Sequence, residues 1–197
     1  MNQWDPGRSK PSRGSFSIWK ALILGALVIE LIVIVVLISD RPEVVPTERP
    51  IRASSDKAQR FEDPEVPYSF AYPKGWQLEN DDMVTKLVSP GNNIAIAVGP
   101  APSGDVLVLS DRLVEGITER YADARTKSRK LVSVGGNLGL TVSGTAINRF
   151  GVRVRFAIVT IEGTEGSNNY AITSFAAADV EDPERALQEV VDDFAIQ

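Results

Sequence analysis

Among the 197 residues there is no cysteine and no histidine. Missing cysteine excludes disulfides, a thiolate nucleophile, zinc–thiolate sites and a lipidated N-terminal cysteine. Missing histidine excludes Ser-His and Cys-His pairs and imidazole metal ligands. It also leaves no side chain whose ordinary pKa lies near neutrality. Carboxylate, lysine and tyrosine chemistry remain, so binding is favoured over catalysis and no cofactor is expected.

The mean hydropathy of −0.05 is that of an ordinary soluble domain, yet it averages over one long apolar run. Residues Ala21 to Ile38 comprise fourteen Leu, Ile or Val, three small residues and a single charge, Glu30. At about 1.5 Å per residue the run reaches roughly 27 Å, close to a hydrocarbon core of about 30 Å. Its aliphatic residues favour insertion by roughly 4 to 8 kcal/mol, against about 3 kcal/mol for the mid-span acid. A signal peptide has a shorter apolar core followed by a small-x-small cleavage site. Ser39-Asp40-Arg41-Pro42 follows here instead, so the chain is expected to keep a single membrane-spanning helix over 21–39. Arg8, Lys10, Arg13 and Lys20, with Trp19 at the interface, place the 1–20 tail in the cytoplasm and the rest outside it. Glu30 is either an intramembrane contact, to a partner or to a second copy with Ala26 on the same face, or a neutral carboxyl in an apolar helix.

Pro42, Pro46 and Pro50 recur through 40–60 without apolar periodicity, which predicts an extended linker. Ser54-Ser55-Asp56-Lys57 matches a serine–lysine spacing, but a polar stalk supplies no walled pocket for that chemistry. Residues 61–197 fit one domain with twelve basic and twenty acidic residues, a balance of −8 that disfavours nucleic acid as a partner.

Within that domain, Pro67 to Tyr72 alternates at period two and stops at Pro73-Lys74-Gly75, a turn that delivers Trp76. Asn93 to Val98, Leu138 to Ile147, Gly151 to Ile161 and Tyr170 to Ala177 read as further strands. Gly135-Gly136 and Gly163-Thr164-Glu165-Gly166 supply turns. Val152, Val154, Phe156 and Ile158 are expected on one side of their strand, with Ala157, Val159 and Ile161 on the other, so that strand should be covered on both sides. Ser110 is the expected N-cap of a helix reaching Ala124, and Asp182 that of a second with Pro183 in its first turn. The predicted fold is α+β: a mostly antiparallel sheet with helices on both faces, an α/β/α sandwich.

The run Tyr68-Ser69-Phe70-Ala71-Tyr72-Pro73-Lys74-Gly75-Trp76 resembles the opening of PsbP-like domains. The last strand and the helix ending Asp192-Asp193-Phe194-Ala195-Ile196 resemble their C-terminal end. The resemblance covers about 61–197 and implies the same sandwich. It also implies a docking role, since the family includes an extrinsic photosystem subunit, Ran-binding relatives and LpqN-type envelope lipoproteins. Lacking cysteine, this chain departs from the lipoprotein members and would use a helical anchor. No functional residue carries over.

The residues themselves offer several candidate contacts. Arg125, Lys127, Arg129 and Lys130 form a basic cluster in an acidic domain, and with Arg149, Arg153 and Arg155 could face an acidic partner or anionic head groups. The alternative is an edge strand guarded by charge. Glu79, Asp81 and Asp82 crowd what reads as a loop, but lack the spacing of a calcium loop. Trp76 reads as a core plug. The function expected is that of a membrane-anchored binding or accessory protein outside the cytoplasm, docking on an envelope complex through Glu30 and the basic cluster, with the bilayer and a membrane protein as partners. A second reading is a module holding a lipid or other apolar molecule in a pocket of roughly 300 Å³ or more, lined by Phe156, Ile172 and Val190. A third is an enzyme with paired carboxylates in a cleft or a buried lysine.

Overall fold

The computed structural model describes residues 58–81, 84–164 and 167–197. The expected membrane helix, the tail before it, Glu30 and nearly all of the linker lie outside the described residues. Among those described, no helix is long and apolar enough to cross a membrane.

The described residues form ten strands and two helices in the order β1 (Gln59–Glu62), β2 (Tyr68–Tyr72), β3 (Gln77–Asp81), β4 (Val84–Val88), β5 (Ile94–Ala101), α1 (Val106–Arg120), β6 (Ala122–Val134), β7 (Asn137–Ile147), β8 (Arg153–Ile161), β9 (Asn169–Ala177), α2 (Pro183–Asp192) and β10 (Ala195–Ile196). A seven-stranded sheet runs β3-β4-β5-β9-β8-β7-β6, and a small sheet runs β1-β2-β10. Every pairing is antiparallel. The fold is α+β, as the alternating strands and two amphipathic stripes predict.

Strand alternation sends side chains to two cores. Val154, Phe156 and Ile158 of β8 share one side of the large sheet with Ala95, Ala97 and Phe175, and Ile117 and Tyr121 at the end of α1 pack on them. Ala157, Val159 and Ile161 share the other side with Ile96, Val98 and Ile172, beneath Leu187 and Val190 of α2 and Phe61, Tyr68 and Phe70 of the small sheet. One helix therefore covers each side. Tyr121 stacks on Phe175 with ring centres 5.3 Å apart, and burial pushes its phenol up to about 12. On the opposite side the Tyr68 hydroxyl donates to the Val98 carbonyl and shares a hydrogen bond with Thr85 Oγ1, each at 3.0 Å. Burial pushes that phenol up to about 12 as well.

Local expectations differ from the structure at several points. Helix α1 begins five residues before the expected start, because the Asp105 carboxylate accepts from Leu107 N–H at 2.7 Å and caps it. Ser110 instead lies buried inside the helix. The helix stops at Arg120, where Tyr121 turns extended and leads directly into β6. Asp182 does precede α2, but in a left-handed conformation with no side-chain cap bond. Glu79 and Asp81 lie on strand β3 rather than in a loop, and Asp82 is outside the described residues. The two-glycine turn at Gly135-Gly136 joins β6 to β7 with positive φ at both positions, as a tight hairpin requires.

Candidate functional site

The basic cluster lies on β6, which among the described residues is an edge strand paired only with β7. The β6 register is irregular at two points. Ala122 faces Ile147 and Arg125 faces Thr145; Thr126 faces Gly144 and Ser128 faces Ser143. Each shift inserts one extra residue on β6, the signature of a β-bulge. Arg125 and Lys130, five residues apart, would point to opposite sides of a regular strand. The bulge at Lys127 returns them to one side, where they face Thr145 and Thr141 of β7.

The sheet therefore divides the predicted cluster. Arg129 faces Val142 on the α1 side and forms an ion pair with Asp111 of the helix. Arg125 and Lys130 lie on the other side, in line with Thr145 and Arg155 on one row and Thr141 and Val159 on another. Lys127 marks the bulge and is exposed, as are Lys130 and Arg153; none of these three makes an ion pair among the described residues. Arg125 is held by Asp123, 2.7 Å from Nη2. Arg155 turns inward: its Nη2 donates to the Val180 carbonyl, while its buried Nε has no hydrogen-bond partner among the described residues. It fastens the segment leading into α2 as well as bordering the surface.

Between these cations β7 alternates strictly. Leu140, Val142, Gly144 and Ala146 are buried under α1, while Thr141, Ser143 and Thr145 on the other side are only half-buried. Among the described residues α2 packs mainly on β2 and β9, and Thr141, Ser143 and Thr145 stay half-buried rather than buried. The result is a shallow shelf with a hydroxyl floor, where Ser128 and Ser143 share a 2.8 Å hydrogen bond, and with Arg125, Lys130, Arg153 and Arg155 along its borders. Hydroxyls and guanidinium groups of this kind suit carboxylate or phosphate acceptors. Gly144 makes the geometry possible: a Cβ there would stand 2.3 Å from the Arg125 carbonyl oxygen and 2.4 Å from Phe156 Cζ.

Three other expectations can be placed. Phe156 lies in the α1-side core, whereas Ile172 and Val190 lie in the α2-side core. The sheet separates them, so they do not line one pocket. Trp76 is half-buried against the α2-side core, after a turn with Gly75 at φ +87°. The structure does contain a buried lysine, Lys86, but its Nζ pairs with Asp81 at 3.6 Å across the β3–β4 edge, away from the shelf. Among the described residues no group of three or more Asp and Glu could hold a metal ion.

The hydroxyl row was visible as Thr-x-Ser-x-Thr, a polar alternation that signals an uncovered side. One exposed feature differs from the sequence expectation. Val152 is 41% exposed and lies in the β7–β8 turn rather than on β8, and its neighbour Phe150 is 51% exposed. An aromatic between Arg149 and Gly151 in a turn was the available signal.

No family model matches the sequence, and no curated protein matches it. Solved structures do. The Ran-binding protein Mog1p of Saccharomyces cerevisiae matches with a TM-score of 0.54 at 15% identity, over 71% of this chain and 95% of that one. Cyanobacterial PsbP from Synechocystis matches with a TM-score of 0.56 at 14% identity, over 78% and 99%. The described residues share the fold of these two proteins. LpqN of Mycobacterium tuberculosis, described as involved in cell envelope biogenesis, matches with a TM-score of 0.51 at 15% identity, over 71% and 91%. At such identities the Mog1/PsbP-like likeness establishes architecture, and function has to be argued from the surface.

Proposed function

We propose that this protein is a single-pass, membrane-anchored accessory protein that holds its Mog1/PsbP-like domain outside the cytoplasm and docks it on an acidic surface of a membrane or envelope complex. The observation that carries the reading is the shelf of β6 and β7. A domain with an excess of acidic residues concentrates Arg125, Lys130 and Arg153 around a half-buried row of hydroxyls. Such a surface steers an acidic partner and rejects a basic one. The apolar 21–38 run supports the anchor. The descriptions of neighbours sharing the fold, one a Ran-binding protein and one involved in envelope biogenesis, are in keeping with a binding role. Glu30 is a second contact, inside the bilayer, and catalysis forms no part of the proposal.

The test is co-purification of the full chain from native membranes in mild detergent, comparing wild type, Glu30→Leu and the double variant Arg125→Glu/Lys130→Glu. A partner recovered with wild type and lost with the double variant supports the reading. A chain that migrates alone after mild crosslinking contradicts it.

A further inference from the structure

The tip of the β7–β8 hairpin is built to expose apolar side chains. Asn148 is buried, and its Oδ1 accepts from the N–H groups of Phe150 and Val152 at 3.0 and 2.9 Å. Its own N–H donates to the Val152 carbonyl at 2.9 Å, and its carbonyl accepts from Gly151 N–H at 3.0 Å. Gly151 adopts φ +77°, which closes the turn. The backbone is thus tied down on all sides, while Phe150 and Val152 project into solvent.

Three arginines stand near the tip, and the exposed Asp179 follows Ala178, whose N–H donates to the Arg153 carbonyl at 3.2 Å. The Arg149 guanidinium lies 4.9 Å from the centre of the Phe150 ring, a cation–π arrangement. Arg153 opens β8 immediately after Val152. Arg125 stands two β7 residues from the turn, facing Thr145. An aromatic and an aliphatic residue on a convex tip, flanked by arginines, match the requirements of a membrane–water interface: apolar groups for the acyl boundary and cations for phosphate.

The position of the tip follows from the registers. β1 begins with Gln59 opposite Tyr72, and the turn after Tyr72 delivers Gln77 opposite Val88. Val88 faces Ala95, Ile94 faces Ala176, and Ala177 faces Val154 beside the hairpin. The chain therefore enters the domain at the end of the large sheet that carries Phe150. A tether that enters at that end brings the hairpin, rather than the opposite end of the sheet, nearer to the bilayer.

We propose that the 148–152 hairpin is a bilayer-contacting element: Phe150 and Val152 enter the interfacial region while Arg149 and Arg153 engage the phosphates of anionic lipids. The inference rests on the reading that the domain is membrane-tethered, and it adds a defined orientation, with the shelf rising from the bilayer surface.

The absence of cysteine makes a clean test possible. A single cysteine at Val152→Cys in the full chain is labelled with an environment-sensitive fluorophore, with Ser103→Cys near the opposite end of the sheet as control. The protein is reconstituted in vesicles of phosphatidylcholine with phosphatidylglycerol. Nitroxide lipids are expected to quench the label at 152 and not at 103. The difference should fall by about half or more in phosphatidylcholine alone or in Arg149→Ala/Arg153→Ala. Equal quenching at both positions overturns the proposal. So does a label that stays in water in vesicles and is shielded only in native membranes, because a protein then covers the hairpin. If the chain fails to insert, the anchoring reading falls, and the labelled chain mixed with the same vesicles still decides: quenching at 152 supports the hairpin contact, and none overturns it.

Discussion

Asp111 and Arg129 form an ion pair that ties α1 to β6 on the helix-covered side of the large sheet. This contact removes Arg129 from the surface that its neighbours Arg125 and Lys130 share. Both partners are substantially exposed, so the pair stabilises the fold by about 0.5 kcal/mol or less. Arg129→Ala is expected to leave both thermal stability and partner recovery nearly unchanged. Arg125→Glu/Lys130→Glu should leave stability similar and weaken partner binding by about tenfold or more. Thermal denaturation and quantitative co-purification of the same variants separate the two roles.

Tyr68 is the polar point of the α2-side core, with its hydroxyl satisfied by Thr85 and Val98. Tyr68→Phe keeps the ring among Phe61, Phe70 and Phe194 but leaves buried acceptors short of a donor. The expected loss is about 1–3 kcal/mol, read as a fall in Tm of roughly 3 °C or more.

Tyr68 and Tyr121 also predict an alkaline limit. Each has a folded pKa raised to about 12 from an ordinary 10.0. Between these values the unfolded chain binds fewer protons than the folded one, so stability falls as pH rises. The stabilisation is complete below pH 10 and is lost as pH passes through 12. Urea midpoints measured from pH 8 to 12 should decline above 10, and Tyr68→Phe should flatten the decline.

Gly144 lies where β6, β7 and the Phe156 ring converge. An added methyl meets the Arg125 carbonyl oxygen and Phe156 Cζ at less than 3 Å. Gly144→Ala is expected to destabilise by about 1–3 kcal/mol, and to disturb the bulge that aligns Arg125 with Lys130. Comparison with Gly136→Ala, where a Cβ meets nothing within 4 Å and only the positive φ is strained, isolates the packing effect.

Much of the architecture was legible because several strands are paired on both sides and their composition reflects it. Phe156 to Ile161 is almost wholly apolar on both sides and is buried on both; Leu140 to Ile147 alternates and is buried on one. β6 was not read as a strand. Arg125 to Lys130 is an exposed edge with no apolar period, and polar residues on both sides look like a loop. The two bulges, which decide which cations share a side, leave no trace in residue spacing. Val152 extends the apolar alternation of β8 by one step, yet the Asn148 side chain holds it in the turn. Asp105 went unread as a cap because the Val-Leu-Val-Leu that follows it resembles a strand.

The central claim is that the β6–β7 shelf is a protein-docking surface. A photo-crosslinking amino acid at Thr141, in the full chain within its native membrane, tests it most directly, with the same group at Ser103 as control. The account predicts a discrete higher-mass adduct from position 141 that is absent from 103 and disappears with Arg125→Glu/Lys130→Glu. No adduct at 141, or one unaffected by reversing those charges, would contradict it.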